Sequence, residues 1–150
     1  MRHYTMLAVN LAASAAIMYF VMFVMIAGAD DFYHNINTFY MALMMVAPMG
    51  SLMLLTMRSM YGNGKLNFGL HVAFVGAFAA GFAFIREQAF VGNVQFVRSM
   101  VPHHSGAVLM CRDAGIADAE LEILCEQIIR SQQEEIEQMK RILLRLESVR

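Results

Sequence analysis

The segment FVRSMVPHHSGAVLMCR, residues 96–112, concentrates donor atoms that bind soft metal ions. The side chains that carry imidazole nitrogen or sulfur are His103, His104, Met100, Met110 and Cys111. On an α-helix most of them fall on two neighbouring stripes, about 60–80° apart. Imidazole and sulfur suit copper, and Cu(I) above all, better than magnesium or calcium, which prefer oxygen ligands. The segment therefore predicts a copper site; the alternative is a helix that buries two polar rings and some sulfur.

The composition indicates a membrane protein with a small domain attached. The chain has 150 residues, of which 59% are hydrophobic and only 15% are charged. This length allows one domain, or one small domain with a membrane anchor, and the hydrophobic excess favours the anchor. The net charge is −1 without a basic run, so membrane lipid is an expected partner and nucleic acid is not.

Three apolar segments are long enough to cross a bilayer, whose hydrocarbon core of about 30 Å needs about 20 residues of helix. They are residues 5–28, 39–57 and 68–85. A cleavable signal peptide is the alternative for the first segment, but its apolar region would be shorter, about 7–15 residues. We therefore predict a three-span transmembrane region over residues 1–86.

Basic residues near the span ends predict the orientation, because cytoplasmic loops carry the excess of lysine and arginine. Arg2, Arg58 and Lys65 lie on the N-terminal side and in the second connector. The first connector contains Asp30 and Asp31 instead. We expect a multi-pass protein of the inner (plasma) membrane with a cytoplasmic N-terminus. Its C-terminal domain is then extracytoplasmic, and periplasmic if the host is Gram-negative.

Residues 87–150 change to an amphipathic helical pattern and predict a hairpin of two antiparallel helices. Gly115 is a helix stop, and Asp118 is a good N-cap for a last helix over residues 119–147. The turn then lies near residue 116. The predicted fold is all-α, with three transmembrane helices followed by this extracytoplasmic hairpin.

Two polar side chains on the inward face of the last helix, Gln132 and Glu135, need partners, because unpaired buried polar groups are costly. A turn near residue 116 predicts the register of the hairpin. In that register His104 is level with Ile128, and Glu135 lies within about a turn of Met100. The polar groups of both helices are therefore expected near one another.

Both halves of the hairpin resemble the domain of unknown function 305 family. The first half contributes MVPHHSGA at residues 100–107, and the second contributes CEQII at 125–129 and QQEEI at 132–136. The resemblance implies a ferritin-like fold, export or membrane anchoring, and an association with copper. The positions that match the recurring metal-site residues are Met100, His103, His104, Met110, Gln132, Glu135 and Met139.

The sequence departs from this family's pattern in two respects. Many members build a four-helix bundle within one chain, whereas this chain has a single hairpin, half of such a bundle. Cysteines stand at residues 111 and 125, where alanine is frequent in the family. In the predicted register the two cysteines are about a turn out of step. A disulfide, thiolate ligands and buried inert thiols all remain open for them.

No catalytic pattern accompanies the candidate ligands. The chain has no Glu-x-x-His pair of the kind that builds a di-iron centre, no His-Glu-x-x-His and no nucleophile elbow, so we do not expect an enzyme. The second span carries methionine at intervals of four, at Met41, Met45, Met49, Met53 and Met57. This ladder is compatible with a copper relay or with adaptable packing. Packing is favoured because steps of four residues drift round the helix.

The predicted function is copper binding by a membrane-anchored extracytoplasmic protein in metal homeostasis, with a copper ion as the cofactor. Because one chain supplies half of a bundle, we expect a homodimer or a higher even oligomer. A copper-handling protein is a further expected partner. The alternative is a metal-free structural or interaction module of a membrane protein complex. A transporter is a third hypothesis, weakened because three spans enclose no obvious path.

Overall fold

The computed structural model describes residues 2–148 and places them in five α-helices and one 3₁₀ turn. The helices are α1 (Arg2–Val21), α2 (Ile36–Thr56), α3 (Gly64–Glu87), α4 (Asn93–Asp113) and α5 (Ala119–Ser148), and the 3₁₀ turn is Ala29–Asp31. No strand occurs within residues 2–148. The prediction of an all-α chain is confirmed for this part of the protein.

Polar caps set the start of two helices. At the start of α3 the Asn63 side chain accepts a hydrogen bond from the Leu66 amide at 3.1 Å. Before α5 the Asp118 side chain accepts one from the Leu121 amide at 2.9 Å. Such bonds satisfy amides that have no partner within the helix. The N-cap predicted at Asp118 is therefore confirmed.

α1, α2 and α3 are each long and apolar enough to cross a membrane. They contain 20, 21 and 24 residues, which matches the length that a bilayer needs. The prediction of three potential spans is confirmed, but one boundary differs. The apolar run that continues to Gly28 predicts a longer first helix than α1, which ends at Val21. Residues after α1 fold with a different part of the chain, and Phe23 is buried there.

The first compact unit comprises residues 2–22 and 37–89, which contain α1, α2 and α3. Its buried apolar cluster consists of Leu7, Leu54 and Tyr61. Two glycines permit close approach, as small residues do between membrane helices. A Cβ atom on Gly50 would lie 2.6 Å from the ring of Phe74, and one on Gly81 would lie 2.8 Å from a methionine of α2.

The second compact unit comprises residues 23–36 and 90–148, so the connector between α1 and α2 folds with α4 and α5. Its buried apolar cluster consists of Val97, Val101, Val108, Ile136 and Leu143. Ala27 and Tyr33 of the connector pack against this cluster. The connector is thus a third layer of the second unit, although two potential spans separate it from α4 in the sequence.

α4 and α5 pack against each other and run antiparallel. From the turn outward, the cross-helix pairs are Cys111–Cys125, His104–Glu135 and Arg98–Glu147. His104 is therefore level with Glu135, and the predicted pairing with Ile128 is wrong. The shift does not come from the start of α5, which lies at Ala119 as predicted, but from how the two helices pack against each other. The centre of the hairpin lies later than residue 116.

A disulfide joins Cys111 to Cys125 across the turn, with 5.1 Å between their Cα atoms. Of the three possibilities that the sequence leaves open, the structure has the disulfide, and neither cysteine is free. A cross-link that closes a loop of about 15 residues stabilises a fold by about 3 kcal/mol, chiefly by restricting the unfolded chain. The turn is therefore held covalently as well as by packing.

Candidate metal site

His104 lies at the contact between α4 and α5, and both of its ring nitrogens have protein partners. Its Nδ1 is 2.9 Å from the carbonyl oxygen of Met100, one turn earlier in α4. Its Nε2 is 2.8 Å from Oε2 of Glu135 in α5. The side chain of His104 is 11% exposed and that of Glu135 is 48% exposed. The pair therefore lies at the edge of the core, with the carboxylate open to solvent.

The partners of His104 fix the positions of the hydrogens. A backbone carbonyl only accepts, so Nδ1 donates to the carbonyl oxygen of Met100. A carboxylate also only accepts, and a neutral imidazole protonated at Nδ1 has only a lone pair at Nε2. A hydrogen bond between Nε2 and Oε2 of Glu135, which lie 2.8 Å apart, likewise needs a proton between the two atoms. Two lone pairs point at the position of that proton, and another cation can take its place.

The second carboxylate oxygen of Glu135, Oε1, has a longer hydrogen bond to an exposed side chain. The Ser131 hydroxyl, one turn earlier in α5, donates a hydrogen bond to Oε1 of Glu135 at 3.1 Å. Ser131 is itself exposed. Oε1 is therefore held by an exposed hydroxyl, so the carboxylate can move towards solvent and admit a metal ion beside His104.

The other predicted ligands surround the His104–Glu135 pair unevenly. His103 is exposed, and its ring centre lies 6.0 Å from that of His104. Gln132 is half-buried on α5, one turn before Glu135. Met139 is half-buried and packs against the core of the second unit. The structure thus brings His104 and Glu135 into direct contact.

Met110 lies apart from the His104–Glu135 pair. Its side chain is 58% exposed, and it lines a pocket at the turn together with Cys111 and Cys125. Within residues 2–148 no group of three or more His, Cys, Asp and Glu side chains comes together as a metal site. A metal ion at the His104–Glu135 pair would take its further donors from imidazole or thioether groups nearby, or from another chain.

A second polar cluster was not predicted from the sequence. Ser105 is fully buried, and its hydroxyl donates to Oδ2 of Asp31 at 2.5 Å and accepts from the Ala27 amide at 2.7 Å. Nζ of Lys140 lies 2.6 Å from Oδ1 of Asp31. One carboxylate thereby ties the connector to α4 through Ser105 and to α5 through Lys140. We call Asp31, Ser105 and Lys140 the Asp31 latch.

No local pattern signals the Asp31 latch, because 74 positions separate Asp31 from Ser105 in the sequence. An aspartate in a polar connector and a lysine on an amphipathic helix are both ordinary surface residues by composition. The Ser105 hydroxyl is also no candidate nucleophile, since it is enclosed and its hydrogen is donated to a carboxylate. The latch is therefore a structural tie that only the folded chain reveals.

Charges at the end of α4 are solvent-exposed. Nε of Arg112 lies 2.9 Å from Oδ1 of Asp113. The hydrogen bond from Arg112 lowers the pKa of the Asp113 carboxyl group, and the same bond raises the pKa of the Arg112 guanidinium. Exposed pairs of this kind contribute little to stability. Both groups stay ionised around neutral pH. The chemically distinctive atoms of the turn are its sulfur atoms.

Parts of the chain are similar to known proteins. A family model described as Domain of unknown function (DUF305) matches residues 85–143, which include α4 and most of α5. An uncharacterized protein of Acanthamoeba polyphaga mimivirus, L153, is 33% identical over 111 residues, which cover 73% of this chain and 71% of the viral protein. No solved structure matches the chain. The similarity extends well beyond the helix pair into the region of potential spans.

Proposed function

The chain belongs to the domain of unknown function 305 family, and on this premise we propose that it binds copper as a membrane-anchored protein of metal homeostasis. The observation that carries the proposal is the His104–Glu135 pair, in which an imidazole nitrogen and a carboxylate oxygen lie 2.8 Å apart. A cation that replaces the proton between these atoms gains an imidazole nitrogen and a carboxylate oxygen at once. Metal binding of this kind is coupled to proton release.

The surroundings of the pair favour copper among the metals. Metal-ligating histidines commonly donate their other ring N–H to a carbonyl or carboxylate, and Nδ1 of His104 faces the Met100 carbonyl in this way. Copper accepts imidazole together with thioether sulfur, which hard cations do not. His103 and the Met100 thioether are the closest additional donors in the sequence. Gln132 and Met139, which are half-buried on α5, are helpers in this proposal.

Metal analysis of the full chain in detergent tests this function. The wild-type protein should retain copper after desalting, and the double variant His103→Ala/His104→Ala should fall to background. Glu135→Gln keeps a hydrogen-bonding group but removes the charge, and should weaken copper binding by at least about tenfold. Met57→Leu, a thioether change in the span-rich first unit, should bind like the wild type. Equal copper contents in all four proteins would refute the assignment.

The composition of the second unit is compatible with the proposed three-span topology. Residues 23–36 and 90–148 fold together, and α2 and α3 lie between them in the chain. If α2 and α3 both cross the membrane, the chain returns to the side that it left, and if neither crosses, it never leaves that side. The connector and α4 can meet in both cases. They could not meet if one of the two helices crossed alone. The lysine and arginine of the other loops support the proposal that this common side is the extracytoplasmic one.

A fusion at the C-terminus tests the orientation. A reporter that matures only outside the cytoplasm should be active there, because the C-terminal domain is proposed to be periplasmic or otherwise extracytoplasmic. A reporter that works only in the cytoplasm should be silent at the same position. The reverse pattern would place the α4–α5 pair inside the cell and remove the proposed extracytoplasmic role.

We also propose that the chain forms a homodimer in which two α4–α5 pairs complete a ferritin-like four-helix bundle. α5 carries a second apolar stripe beside its buried face, at helical spacing and interrupted by one carboxylate. Its members are Leu124, Ile128, Glu135, Ile142 and Leu146. Leu124 is 47% exposed. A symmetric dimer on this stripe would place donors of a second chain near the His104–Glu135 pair.

A metal-free structural or interaction module is the second candidate function. One observation favours it: both ring nitrogens of His104 are already satisfied by protein partners, so the buried ring needs no ligand. The apolar stripe of α5 would then bind a partner protein in a membrane complex. This alternative predicts background copper in the wild-type protein and in every variant.

A further inference from the structure

The turn between α4 and α5 gathers three sulfur atoms around one opening. Met110, Cys111 and Cys125 line a pocket of about 520 Å³ at the end of the helix pair. The other walls are mainly apolar and include Leu109, Ile116 and Leu121. Met110 is 58% exposed, so its thioether is free of the core and can turn towards the cysteines.

We propose that reduction of the Cys111–Cys125 disulfide converts this pocket into a Cu(I) site. The two Cα atoms lie 5.1 Å apart, so the sulfurs of the reduced cysteines remain within reach of a single ion. Thiolate and thioether sulfur are the ligands that Cu(I) prefers, and Met110 supplies the third one.

The helix pair has independent means of keeping the two cysteines together after reduction. The buried cluster of Val97, Val101, Val108, Ile136 and Leu143 joins α4 to α5 without the disulfide. Arg98 and Glu147 pair at 2.7 Å near the far end of the helices. The reduced turn is therefore a preformed dithiol, not a pair of cysteines on a free chain.

The reaction requires a dithiol reductant and balances as an ordinary thiol–disulfide exchange. A thiolate of the reductant attacks Sγ of Cys111, which is half-buried, whereas Cys125 is only 7% exposed. The bond between the cysteines breaks, and Cys125 leaves as a thiolate that takes up a proton. The second thiol of the reductant then releases Cys111 and closes the reductant's own disulfide. Cu(I) displaces the two thiol protons without changing its oxidation state.

This sulfur site is separate from the proposed function and shares no ligand with the His104–Glu135 pair. It also assigns a role to Met110, which the fold sets apart from the other predicted ligands. In the oxidised protein the cysteine sulfurs are bonded to each other and offer no thiolate. Whether the turn can bind Cu(I) therefore depends on whether the Cys111–Cys125 disulfide is reduced.

The test titrates Cu(I) into the full chain in detergent under anaerobic conditions, in competition with a chromogenic Cu(I) chelator. Protein with the disulfide intact is compared with protein that has been reduced by a small dithiol and desalted. The reduced protein should bind an additional Cu(I) per chain. Cys111→Ser/Cys125→Ser should lose this increment, and His103→Ala/His104→Ala should keep it. Met110→Leu should weaken the additional site by at least about tenfold.

Several outcomes would overturn the proposal. Equal Cu(I) uptake by the oxidised and reduced proteins would remove the redox dependence. An increment that survives in the double serine variant would place the ion elsewhere. Unchanged affinity in Met110→Leu would exclude the three-sulfur site. Loss of helical circular dichroism on reduction would contradict the preformed dithiol. Loss of the His103/His104-dependent copper alone would count against the proposed function and leave this inference intact.

Discussion

Replacing Asp31 by alanine should lower the unfolding free energy of the second unit by about 3 kcal/mol. The substitution removes the partner of both Ser105 and Lys140 in the Asp31 latch. It leaves a fully buried hydroxyl without its acceptor and an ammonium group, 29% exposed, without its counter-ion. The expected loss of unfolding free energy is at the lower end of the range for removing one partner of a buried ion pair, because Lys140 is partly solvated. Hydrogen exchange of the α4 and α5 amides as a function of urea measures it.

The neighbouring aspartate provides a matched control for the latch. Asp30 is exposed, and Asp30→Ala removes the same carboxylate one position earlier. Its effect should stay within about 0.5 kcal/mol. The double variant Asp31→Ala/Lys140→Met should regain part of the loss, because removing both charges is milder than leaving one unpaired. Equal exchange in Asp30→Ala and Asp31→Ala would show that the connector is not held by this carboxylate.

Leu124→Glu should dissociate the proposed dimer, raising its dissociation constant by about 100-fold or more. Leu124 is 47% exposed on the second apolar stripe of α5. The substitution therefore disturbs the monomer little but would force a carboxylate into the contact between the two helix pairs. Native mass spectrometry in mild detergent should find dimers for the wild type and monomers for the variant.

The opposite flank of α5 supplies the control for this experiment. Leu144 is 70% exposed and lies away from the stripe that contains Leu124 and Glu135. Leu144→Glu introduces the same charge in the same helix and should leave the dimer intact. Dimers that persist in Leu124→Glu, or that disappear only in Leu144→Glu, would place the interface elsewhere. A wild-type monomer that still binds copper would exclude a site shared between chains.

Local sequence signals predicted the elements of the fold well. Apolar length marks three potential spans, and Asp118 marks the start of α5, because both properties act within one helix. The end of α1 was harder, since hydropathy alone cannot show that residues beyond Val21 pack with a distant segment. The sequence shows that the apolar run continues beyond Val21. The end of the helix, however, depends on tertiary contacts, which the sequence does not show.

The candidate site could be predicted in its residue types but not in its register. His104 and Glu135 were both predicted as ligands, and the fold brings them to 2.8 Å. Their direct contact depends on how the two helices pack against each other, which no helix periodicity specifies. Because the register of the two helices was uncertain, the sequence also left the disulfide between Cys111 and Cys125 open. Met110 carries a suitable donor atom, but the helix presents it to the pocket at the turn.

The long separation between the members of the Asp31 latch has a consequence for biosynthesis. Lys140 leaves the ribosome about 110 residues after Asp31, a delay of roughly 5–20 s at usual elongation rates. Ser105 of α4 follows Asp31 by 74 positions, so the connector emerges first without either helix and then, until Lys140 is synthesised, with α4 but without its contact to α5. Chains halted before α5 should therefore expose this connector to added protease more than the full chain does. Limited proteolysis would then distinguish incomplete chains from complete ones by a segment synthesised near the beginning.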